Sequence, residues 1–400
     1  MDKSLEFAIL CLSLMIVPMI VPSSAQQQSL VSQTDYWPTS GWISTTPEEQ
    51  GMQSERLEAM EDYIDTQDWT NDIDSLLIIR YGYLVYESYP SPSYDENDRH
   101  HIYSCTKSFT SALIGTAIDD GYIDSVDTSV LDYFPELADE YTDSDKDSIT
   151  IKHLLTMTSG LEWVDQSDYY NMASSTNWAK YVLDRQLIDT PGEEWNYNTG
   201  GTHLLSVILN RTTPEGTLEY AKSKIFTPLG ISNYVWVTDN QGIPIGGTAL
   251  NILPKDMAKF GYLYLMNGLW DDEQLISEDW ISESTTTSVQ IEFDQGQGTG
   301  YSYLWWNYAW GEAYTARGSY EQYIIIIPAL DMVVVCTGSG SFTVTTLLLH
   351  YIFPAAGFSP SQNYLLMSVI IITSFAVVVI FGWIIRSRGK ISKLNHVSNE

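Results

Sequence analysis

A serine and a lysine lie three positions apart at Ser104 and Lys107, immediately before a helix-favouring segment at residues 108–114. Positions i and i+3 share one face of a helix, so the hydroxyl and the amine are predicted to be neighbours. An ordinary serine is a weak nucleophile and an ordinary lysine is charged at neutral pH. Burial lowers the pKa of a lysine until the amine accepts the serine proton. The pair therefore predicts a nucleophile and its base within one turn.

The predicted position of Ser104 at the start of a helix adds a third function. Backbone N–H groups and the positive end of the helix dipole are exposed there, and they stabilise an oxyanion. Ser-x-x-Lys also occurs by chance in many chains, where it belongs to an ordinary capped surface helix. The remainder of the sequence has to decide between the two interpretations.

The composition limits the class of protein. The chain has 400 residues, of which 44% are hydrophobic and 13% aromatic, enough for one large domain or two modest ones. Its formal net charge of −32 argues against nucleic acid as a partner, because such a surface repels phosphates. The acidic residues are spread along the chain and form no calcium-binding loop. No metal or organic cofactor is predicted.

Two apolar segments indicate the cellular location. Residues 7–21 are apolar but short, and small residues follow at Ser23-Ser24-Ala25, which predicts a signal peptide over residues 1–25. An uncleaved anchor is the alternative. A polar linker is predicted at residues 26–41.

The second apolar segment, residues 364–385, is long enough to span a bilayer. Four basic residues follow it, so residues 386–400 are predicted to form a cytoplasmic tail. The protein is then expected to be a single-pass protein of the cell membrane with its large middle part outside the cytoplasm.

The intervening pattern predicts an α+β fold. A helix is expected at residues 55–67 and a hairpin at residues 75–80 and 83–87, joined at Tyr81-Gly82. Residues 106–205 favour helices, and a further helix is expected from Pro254. Strands are expected at residues 301–307, 313–317, 323–327 and 332–337, and a closing helix at residues 341–352. Strands at both ends with helices between them predict a sheet built from both termini and an inserted helical domain.

Four further segments follow the Ser-x-x-Lys in a specific order: residues 151–161, 191–201, 226–231 and 316–323. Together with Ser-x-Thr-Lys-Ser-Phe-Thr-Ser they resemble the serine β-lactamase and penicillin-binding-protein superfamily. The nearest part is the class C-like β-lactamase-related serine hydrolases, which include esterases, D-amino-acid peptidases and amide hydrolases. The resemblance runs from Trp42 to Phe353 and implies a hydrolase domain at residues 42–360. It also implies a β-lactamase/transpeptidase-like fold, an antiparallel sheet flanked by helices.

The family's second motif, Tyr-x-Asn, matches Tyr197-Asn198-Thr199. The resemblance implies that Tyr197 shares the role of base with Lys107. Thr199 stands where many members have Asn, and it offers a hydroxyl in place of an amide. This departure affects the recognition of peptides and β-lactams more than the acylation chemistry.

The third motif, Lys-Thr-Gly or a looser His/Tyr-x-Gly, is matched to Ser319-Tyr320-Glu321. Its lysine is missing, and Glu321 replaces a glycine that would allow close approach of substrate. The resemblance implies that the second oxyanion N–H comes from about Gln322. Arg317 either binds a substrate carboxylate or forms a surface ion pair.

Two other pairs of residues attract attention. Trp305 and Trp306 point to opposite faces of a predicted strand, so one of them, with Trp305 as the candidate, is expected to form a wall of the active site. His100 and His101 are interpreted as structural, because adjacent residues do not face one site on regular secondary structure.

The resulting expectation is a membrane-anchored extracytoplasmic serine hydrolase that cleaves a small ester, amide or peptide through an acyl-enzyme on Ser104. One alternative is a D-alanyl carboxypeptidase or a β-lactamase. Another is a catalytically silent cell-surface binding module on the same fold. The oligomeric state stays open.

Overall fold

The computed structural model describes residues 36–141, 145–293, 298–310, 312–340 and 342–359. The strands are β1 (Ile73–Arg80), β2 (Tyr83–Ser88), β3 (His100–His101), β4 (Val235–Trp236), β5 (Leu250–Ile252), β6 (Leu269–Trp270), β7 (Glu273–Gln274), β8 (Val289–Phe293), β9 (Gly298–Tyr301), β10 (Trp306–Tyr308), β11 (Tyr314–Gly318), β12 (Gln322–Ile327) and β13 (Met332–Gly338). The α-helices are α1 (Ser54–Thr66), α2 (Thr106–Asp119), α3 (Pro135–Ala138), α4 (Ile151–Leu155), α5 (Asp165–Ser174), α6 (Trp178–Leu183), α7 (Thr199–Thr212), α8 (Gly216–Ala221), α9 (Pro254–Leu265), α10 (Glu278–Thr285), α11 (Val344–Leu347) and α12 (Phe353–Ala355).

The segments predicted to be a signal peptide, a transmembrane helix and a cytoplasmic tail lie outside the described residues. The same holds for residues 26–35 of the predicted linker. Across the part of the chain that the structure describes, none of the helices combines the length and the apolar character needed to cross a bilayer.

An antiparallel sheet forms the centre of the fold. Eight of the described strands pair in the order β2-β1-β13-β12-β11-β10-β9-β8. β1 comes from the N-terminal part of the chain and pairs with β13 from the C-terminal part, with Arg80 opposite Met332. The expected α+β fold, with a sheet built from both ends of the chain, is therefore confirmed.

One expected strand is wrong. Residues 301–307 were predicted to be continuous, but β9 ends at Tyr301 and β10 begins at Trp306. Leu304 adopts a left-handed φ of 64°, and the N–H of Ser302 donates to the carbonyl of Trp305, which reverses the chain. The two halves of the predicted strand pair with each other as a hairpin, with Trp306 opposite Tyr301.

The sheet separates two apolar layers, because its strands alternate their side chains between two faces. On β12, Ile324 and Ile326 face one layer, whereas Tyr323, Ile325 and Ile327 face the other. The first layer packs against α2, α7 and α9, and the second against α1, α11 and α12. A strand that is buried on both faces reads as a continuous apolar run, as in Tyr-Ile-Ile-Ile-Ile.

Helix α2 is buried on all sides at the boundary between the sheet and the helical region. Almost every residue from Thr106 to Ala117 is inaccessible to solvent. Phe109 stacks on Phe260 of α9, with the ring centroids 3.7 Å apart. A helix held in this way gives little freedom to the residues at its N-terminus, where Ser104 and Lys107 lie.

Candidate active site

Ser104 lies in a single 3₁₀ turn, Tyr103–Cys105, that leads directly into α2. Tyr103 has a left-handed φ of 45°, which turns the chain sharply before the serine. The hydroxyls of Ser108 and Thr110 then anchor α2, since they donate to the carbonyls of Leu304 at 2.9 Å and Gly246 at 2.7 Å. Ser104 therefore sits on a fixed turn at a helix N-terminus, the position that the sequence predicted.

Lys107 lies beside Ser104, with its Nζ 3.0 Å from the Ser104 Oγ. The same amine donates to the Thr199 Oγ1 at 3.0 Å and to the carbonyl of Gly247 at 2.7 Å. An ammonium has three N–H donors, so these three contacts use all of them. The Lys107 side chain is only 1% exposed.

Burial makes Lys107 a usable base. Removal from water disfavours the charged amine and lowers its pKa to about 8, while the nearby Asp165 and Cys105 partly oppose the effect. A lysine in this range exists partly as the neutral amine near neutral pH. The lone pair of that amine faces a hydroxyl at hydrogen-bond distance, which is the arrangement that activates a serine.

Tyr197 completes the cluster from the loop before α7. Its side chain is hydrogen-bonded to that of Ser104, and the Lys107 Nζ lies 4.8 Å from its ring centroid. Burial raises the pKa of Tyr197 above its ordinary value. The hydroxyl therefore stays protonated, which favours Lys107 as the base and Tyr197 as a proton donor and relay.

Thr199 contacts Lys107 and does not present its hydroxyl to an open cleft. It is the first residue of α7, and the side chain of Asn198 caps this helix by accepting from the N–H of Gly201. Thr199 thus replaces one contact of the family's asparagine, the contact to the lysine, and does not replace the contact to a substrate amide. This placement agrees with the expected loss of an amide for the substrate.

Asp165 is a member of the site that the sequence did not reveal. Its carboxylate accepts from the backbone N–H of Thr199 and from the indole of Trp163, both at 2.9 Å. It also acts electrostatically on Lys107 and Tyr197. Asp165 looks like an ordinary first-turn acid of α5, and its partner lies far along the chain, so neither type nor spacing could identify it.

The third motif lies at Ala316-Arg317-Gly318 on β11, three residues before the stretch matched from sequence. A Cβ on Gly318 would lie 2.5 Å from the carbonyl of Ile102 and 3.1 Å from the backbone nitrogen of Ser104. This close approach requires glycine, so Gly318 is the motif glycine. The predicted stretch, Ser319-Tyr320-Glu321, forms the turn between β11 and β12, with Tyr320 and Glu321 at positive φ.

This register bears on two of the expected residues. The Gln322 side-chain amide is directed into the protein and donates to the carbonyls of Tyr320 and Gly338 at 2.9 and 2.6 Å, whereas the expected oxyanion role concerns a backbone N–H at about Gln322 and stays a prediction. The residue that directly follows Gly318 in the chain is Ser319. The Glu321 carboxylate accepts from the N–H of Val344 at 3.1 Å, so it is held toward α11 instead of the cleft.

The two tryptophans exchange the roles expected of them. Trp305 is fully buried between Phe260, Tyr264 and Tyr314, so it belongs to the core. Trp306 faces the other way, and its ring stacks on Tyr197 with centroids 5.8 Å apart. The guanidinium of Arg317 lies 5.9 Å from the Trp306 ring and acts electrostatically on Tyr197. Trp306 therefore forms the wall, and Arg317 lies beside it.

Comparisons with known proteins agree with this geometry. The family model described as Beta-lactamase matches residues 74–346. The 6-aminohexanoate-dimer hydrolase of Paenarthrobacter ureafaciens is 24% identical over 258 residues, which are 58% of this chain and 64% of that protein. Penicillin-binding protein 4* of Bacillus subtilis is 22% identical over 203 residues, 39% of this chain and 42% of that protein. The chain thus spans less than two thirds of the length of these two relatives.

Solved structures share the fold. A putative 6-aminohexanoate-dimer hydrolase from Bacillus anthracis superposes with a TM-score of 0.62 at 22% identity, covering 74% of this chain and 81% of that one. A class C β-lactamase mutant gives a TM-score of 0.58 at 17% identity, covering 74% and 96%. Because the family model spans more than half of the chain, the protein belongs to the β-lactamase family, within the serine β-lactamase and penicillin-binding-protein superfamily.

Proposed function

We propose that the protein hydrolyses a small ester or amide through an acyl-enzyme on Ser104. One observation carries this proposal: the Lys107 Nζ lies 3.0 Å from the Ser104 Oγ and has a pKa lowered to about 8 by burial. The Lys107 amine is surrounded by hydroxyl and carbonyl oxygens, one of which belongs to Ser104.

Acylation begins when the neutral Lys107 amine accepts the Ser104 proton. The Ser104 Oγ forms a bond to the substrate carbonyl carbon, and the carbonyl oxygen becomes an oxyanion. The backbone N–H of Ser104 is one donor to this oxyanion, and we assign the N–H of Ser319 as the second, because the adjacent Gly318 packs against the Ser104 nitrogen. Ser104 lies in the turn that leads into α2, and Ser319 directly follows β11.

Collapse of the tetrahedral intermediate breaks the bond to the leaving group. The protonated Tyr197 donates to the departing oxygen or nitrogen and is reprotonated by the Lys107 ammonium, so both residues return to their starting states. A water molecule then attacks the acyl-enzyme carbonyl, its proton passes along the same path, and Ser104 departs with a proton. No other reactant is required.

The substrate is proposed to be an ester or amide whose acyl group carries no carboxylate, and not a β-lactam. Thr199 offers no amide to a peptide group, and its hydroxyl is already paired with Lys107. A position that is lysine in the family's Lys-Thr-Gly is occupied by Ala316. A relative named as a 6-aminohexanoate-dimer hydrolase also supports a substrate outside the β-lactams.

We further propose that the protein is anchored in the cell membrane by residues 364–385, with the hydrolase domain outside the cytoplasm. The support is the length of this apolar segment and the basic residues after it. Protease added to intact cells should digest the domain, and an intact domain after such treatment would contradict this orientation.

A fluorophosphonate probe tests the proposed chemistry, because it labels an activated serine. We expect labelling of the full-length protein and its loss in Ser104→Ala. Ser111→Ala is the matched control, since Ser111 is a serine of the same region whose Oγ has no hydrogen-bond partner. A silent binding module would remain unlabelled, and labelling that persists in Ser104→Ala would contradict the assignment of the nucleophile.

A further inference from the structure

A second polar cluster borders the nucleophile on the other side of Tyr103. A cavity of about 340 Å³ is lined by the Tyr103 ring together with Asp74, His100, Tyr320 and Gln322. Tyr103 immediately precedes Ser104, and the sulfhydryl of Cys105 donates to the carbonyl of Gln322 at 3.2 Å. The cavity is therefore attached to the active-site turn, but none of the catalytic side chains lines it.

Gln322 contributes a hydrogen-bond acceptor without a partner. Its amide nitrogen donates to the carbonyls of Tyr320 and Gly338, so the orientation of the amide is fixed by two acceptors. The Oε1 is left buried with no hydrogen bond, although the residue is only 1% exposed. An unpaired buried acceptor is unfavourable, so a ligand that supplies a donor to this atom would be stabilised.

His100 and Asp74 provide two more acceptors. The His100 Nδ1 lies 3.6 Å from the Asp74 Oδ2, and burial lowers the pKa of His100 to about 4, so the ring is neutral. A proton on Nδ1 would face the carboxylate and leave Nε2 as an acceptor. Nε2 is buried and has no partner. His100 and Asp74 are 4% and 1% exposed.

The three residues converge on one short segment. The Gln322 amide is bonded to the carbonyl of Gly338, and the hydroxyl of the next residue, Ser339, donates to the Asp74 Oδ1 at 3.2 Å. His100 is in contact with the same carboxylate. Asp74, His100 and Gln322 are therefore held around the end of β13, where they form what we call the acceptor cluster.

The surroundings of the acceptor cluster favour a cation. Asp72 acts on Asp74 and Asp98 acts on His100, and both neighbours are acidic. Aromatic rings cover the cluster: Tyr94 stacks on His100 with centroids 4.5 Å apart. The ring of Tyr320 lies 5.2 Å from that of Tyr103. Aromatic faces attract organic cations, whereas acceptors and carboxylates repel anions.

We propose that this cavity binds a primary alkylammonium group. Such a group carries one positive charge and three N–H donors, which match one carboxylate and two unpaired acceptors. A metal ion fits less well, because among the described residues no group of three or more His, Cys, Asp or Glu side chains could hold one. The rings of Tyr94, Tyr103 and Tyr320 suit the alkyl chain of the ligand.

The ammonium group has two sources, the free end of the hydrolysed substrate or a separate amine. The first source rests on the proposed function, since it requires a substrate bound at Ser104. Either source would place a ligand against Tyr103, the residue before the nucleophile.

Calorimetry with n-butylammonium chloride on the full-length protein tests the site without requiring catalysis. Measurements are made above pH 7, because the pKa of Asp74 is raised to about 6 by burial and the carboxylate must be ionised. We expect n-butylammonium to bind and n-butanol and butyrate to bind far more weakly. Asp74→Asn should weaken n-butylammonium binding at least about tenfold, because it removes the charge but keeps the shape.

Two variants control this experiment. Asp271→Asn removes the same charge from an exposed turn between β6 and β7 and should leave the affinity unchanged. Tyr94→Leu keeps an apolar side chain on a partly exposed loop but removes the ring, so affinity should fall about two- to fivefold. This second variant keeps the test valid if Asp74→Asn fails to fold. Equal affinity in the parent and both cavity variants, or equal binding of n-butanol, would overturn the proposal.

The source is identified with p-nitrophenyl esters of ω-amino acids of increasing chain length, each compared with its alkyl isostere. The measured quantity is kcat/KM for each amino ester divided by kcat/KM for its alkyl isostere. If this ratio has a maximum at one chain length and the maximum is lower in Asp74→Asn, the ligand is the amino end of the substrate. If the ratio does not depend on chain length but n-butylammonium still binds, the ligand is a separate amine. Calorimetry on Ser104→Ala tests the amine site separately from the proposed hydrolase activity. Binding of n-butylammonium to this variant supports the amine site whether or not the fluorophosphonate probe labels Ser104 in the parent protein.

Discussion

Two polar clusters lie on either side of Tyr103, and they differ in how their hydrogen-bonding atoms are paired. Lys107 uses all three of its N–H donors on protein oxygens within 3.0 Å. In the acceptor cluster, Gln322 Oε1 and His100 Nε2 have no partner. Lys107 is as deeply buried as Asp74, His100 and Gln322, so burial alone does not distinguish the base from the acceptor cluster.

The contrast separates the proposed catalytic base from the proposed binding site. In the neutral amine two N–H groups donate and the lone pair accepts from the Ser104 hydroxyl, so Lys107 is already placed for proton transfer, and such preorganisation is a source of electrostatic catalysis. Unpaired buried acceptors stabilise nothing in the free protein, but they favour a ligand that supplies donors. We therefore propose that buried polar atoms have different roles in the two clusters. The Lys107 amine transfers a proton, whereas the acceptors of Gln322 and His100 bind a ligand.

The largest effect is expected for Lys107→Arg, which keeps the charge but removes a group that can deprotonate. Turnover of p-nitrophenyl butyrate should fall by at least about two orders of magnitude, the range for loss of a general base. n-Butylammonium affinity should stay within about twofold, since Lys107 is not part of the acceptor cluster. Steady-state kinetics and calorimetry measure the two quantities on one preparation.

Lys222→Arg serves as the matched control, because Lys222 is an exposed lysine paired with Glu219. Tyr197→Phe should also be severe, and its combination with Lys107→Arg should be less than additive, because the two residues serve one proton path. Activity of Lys107→Arg within a few-fold of the parent would refute its role as the base.

The next largest effect is expected for Gly318→Ala. The added Cβ would meet the backbone of Ile102 at 2.5 Å and of Ser104 at 3.1 Å, which forces β11 away from the nucleophile. A displacement of this size costs on the order of a hundredfold in kcat. Gly201→Ala is the control, since its Cβ would make only ordinary contact with Leu154 at 3.4 Å. A parent-like kcat for Gly318→Ala would remove β11 from the oxyanion site.

A smaller effect separates the substrate classes. We expect kcat/KM for p-nitrophenyl butyrate to exceed that for nitrocefin by at least about tenfold, because a carboxylate must approach a strongly acidic protein. The comparison is made at matched pH and salt. Equal or better efficiency on nitrocefin would indicate that Arg317 anchors the carboxylate, and Arg317→Gln should then lower the nitrocefin rate selectively.

The smallest effect is a shift in the pH profile. The neutral form of Lys107 is the active one, so kcat/KM should rise with pH through a pKa of about 8 and then level off. Asp165 raises this pKa, so Asp165→Asn should move the rising limb to lower pH. The amide oxygen of Asn can still accept from Thr199. Asp271→Asn should cause no shift, and a shift to higher pH in Asp165→Asn would contradict the assignment.

The sequence alone determined the features that depend on local periodicity and short spacing. Ser104 and Lys107 are neighbours because a helix places i and i+3 on one face, and the Tyr81-Gly82 turn joins β1 and β2 as predicted. The sequence also predicted that the side chains of Trp305 and Trp306 point in opposite directions, but it did not indicate which of them faces the core. The order of the motifs was sufficient to predict the family and the α+β fold.

The tertiary structure decided everything that depends on distant segments meeting. Asp165 joins the site through a hydrogen bond across 34 positions of the chain, and Gly318 of β11 packs against the backbone of Ile102 and Ser104. His100 lies next to Asp74 only because β3 lies near the first residues of β1 in the folded chain. Local sequence fixes the direction of a side chain along its own element, whereas its partners depend on the packing of other elements, and that packing carries no short-range signal.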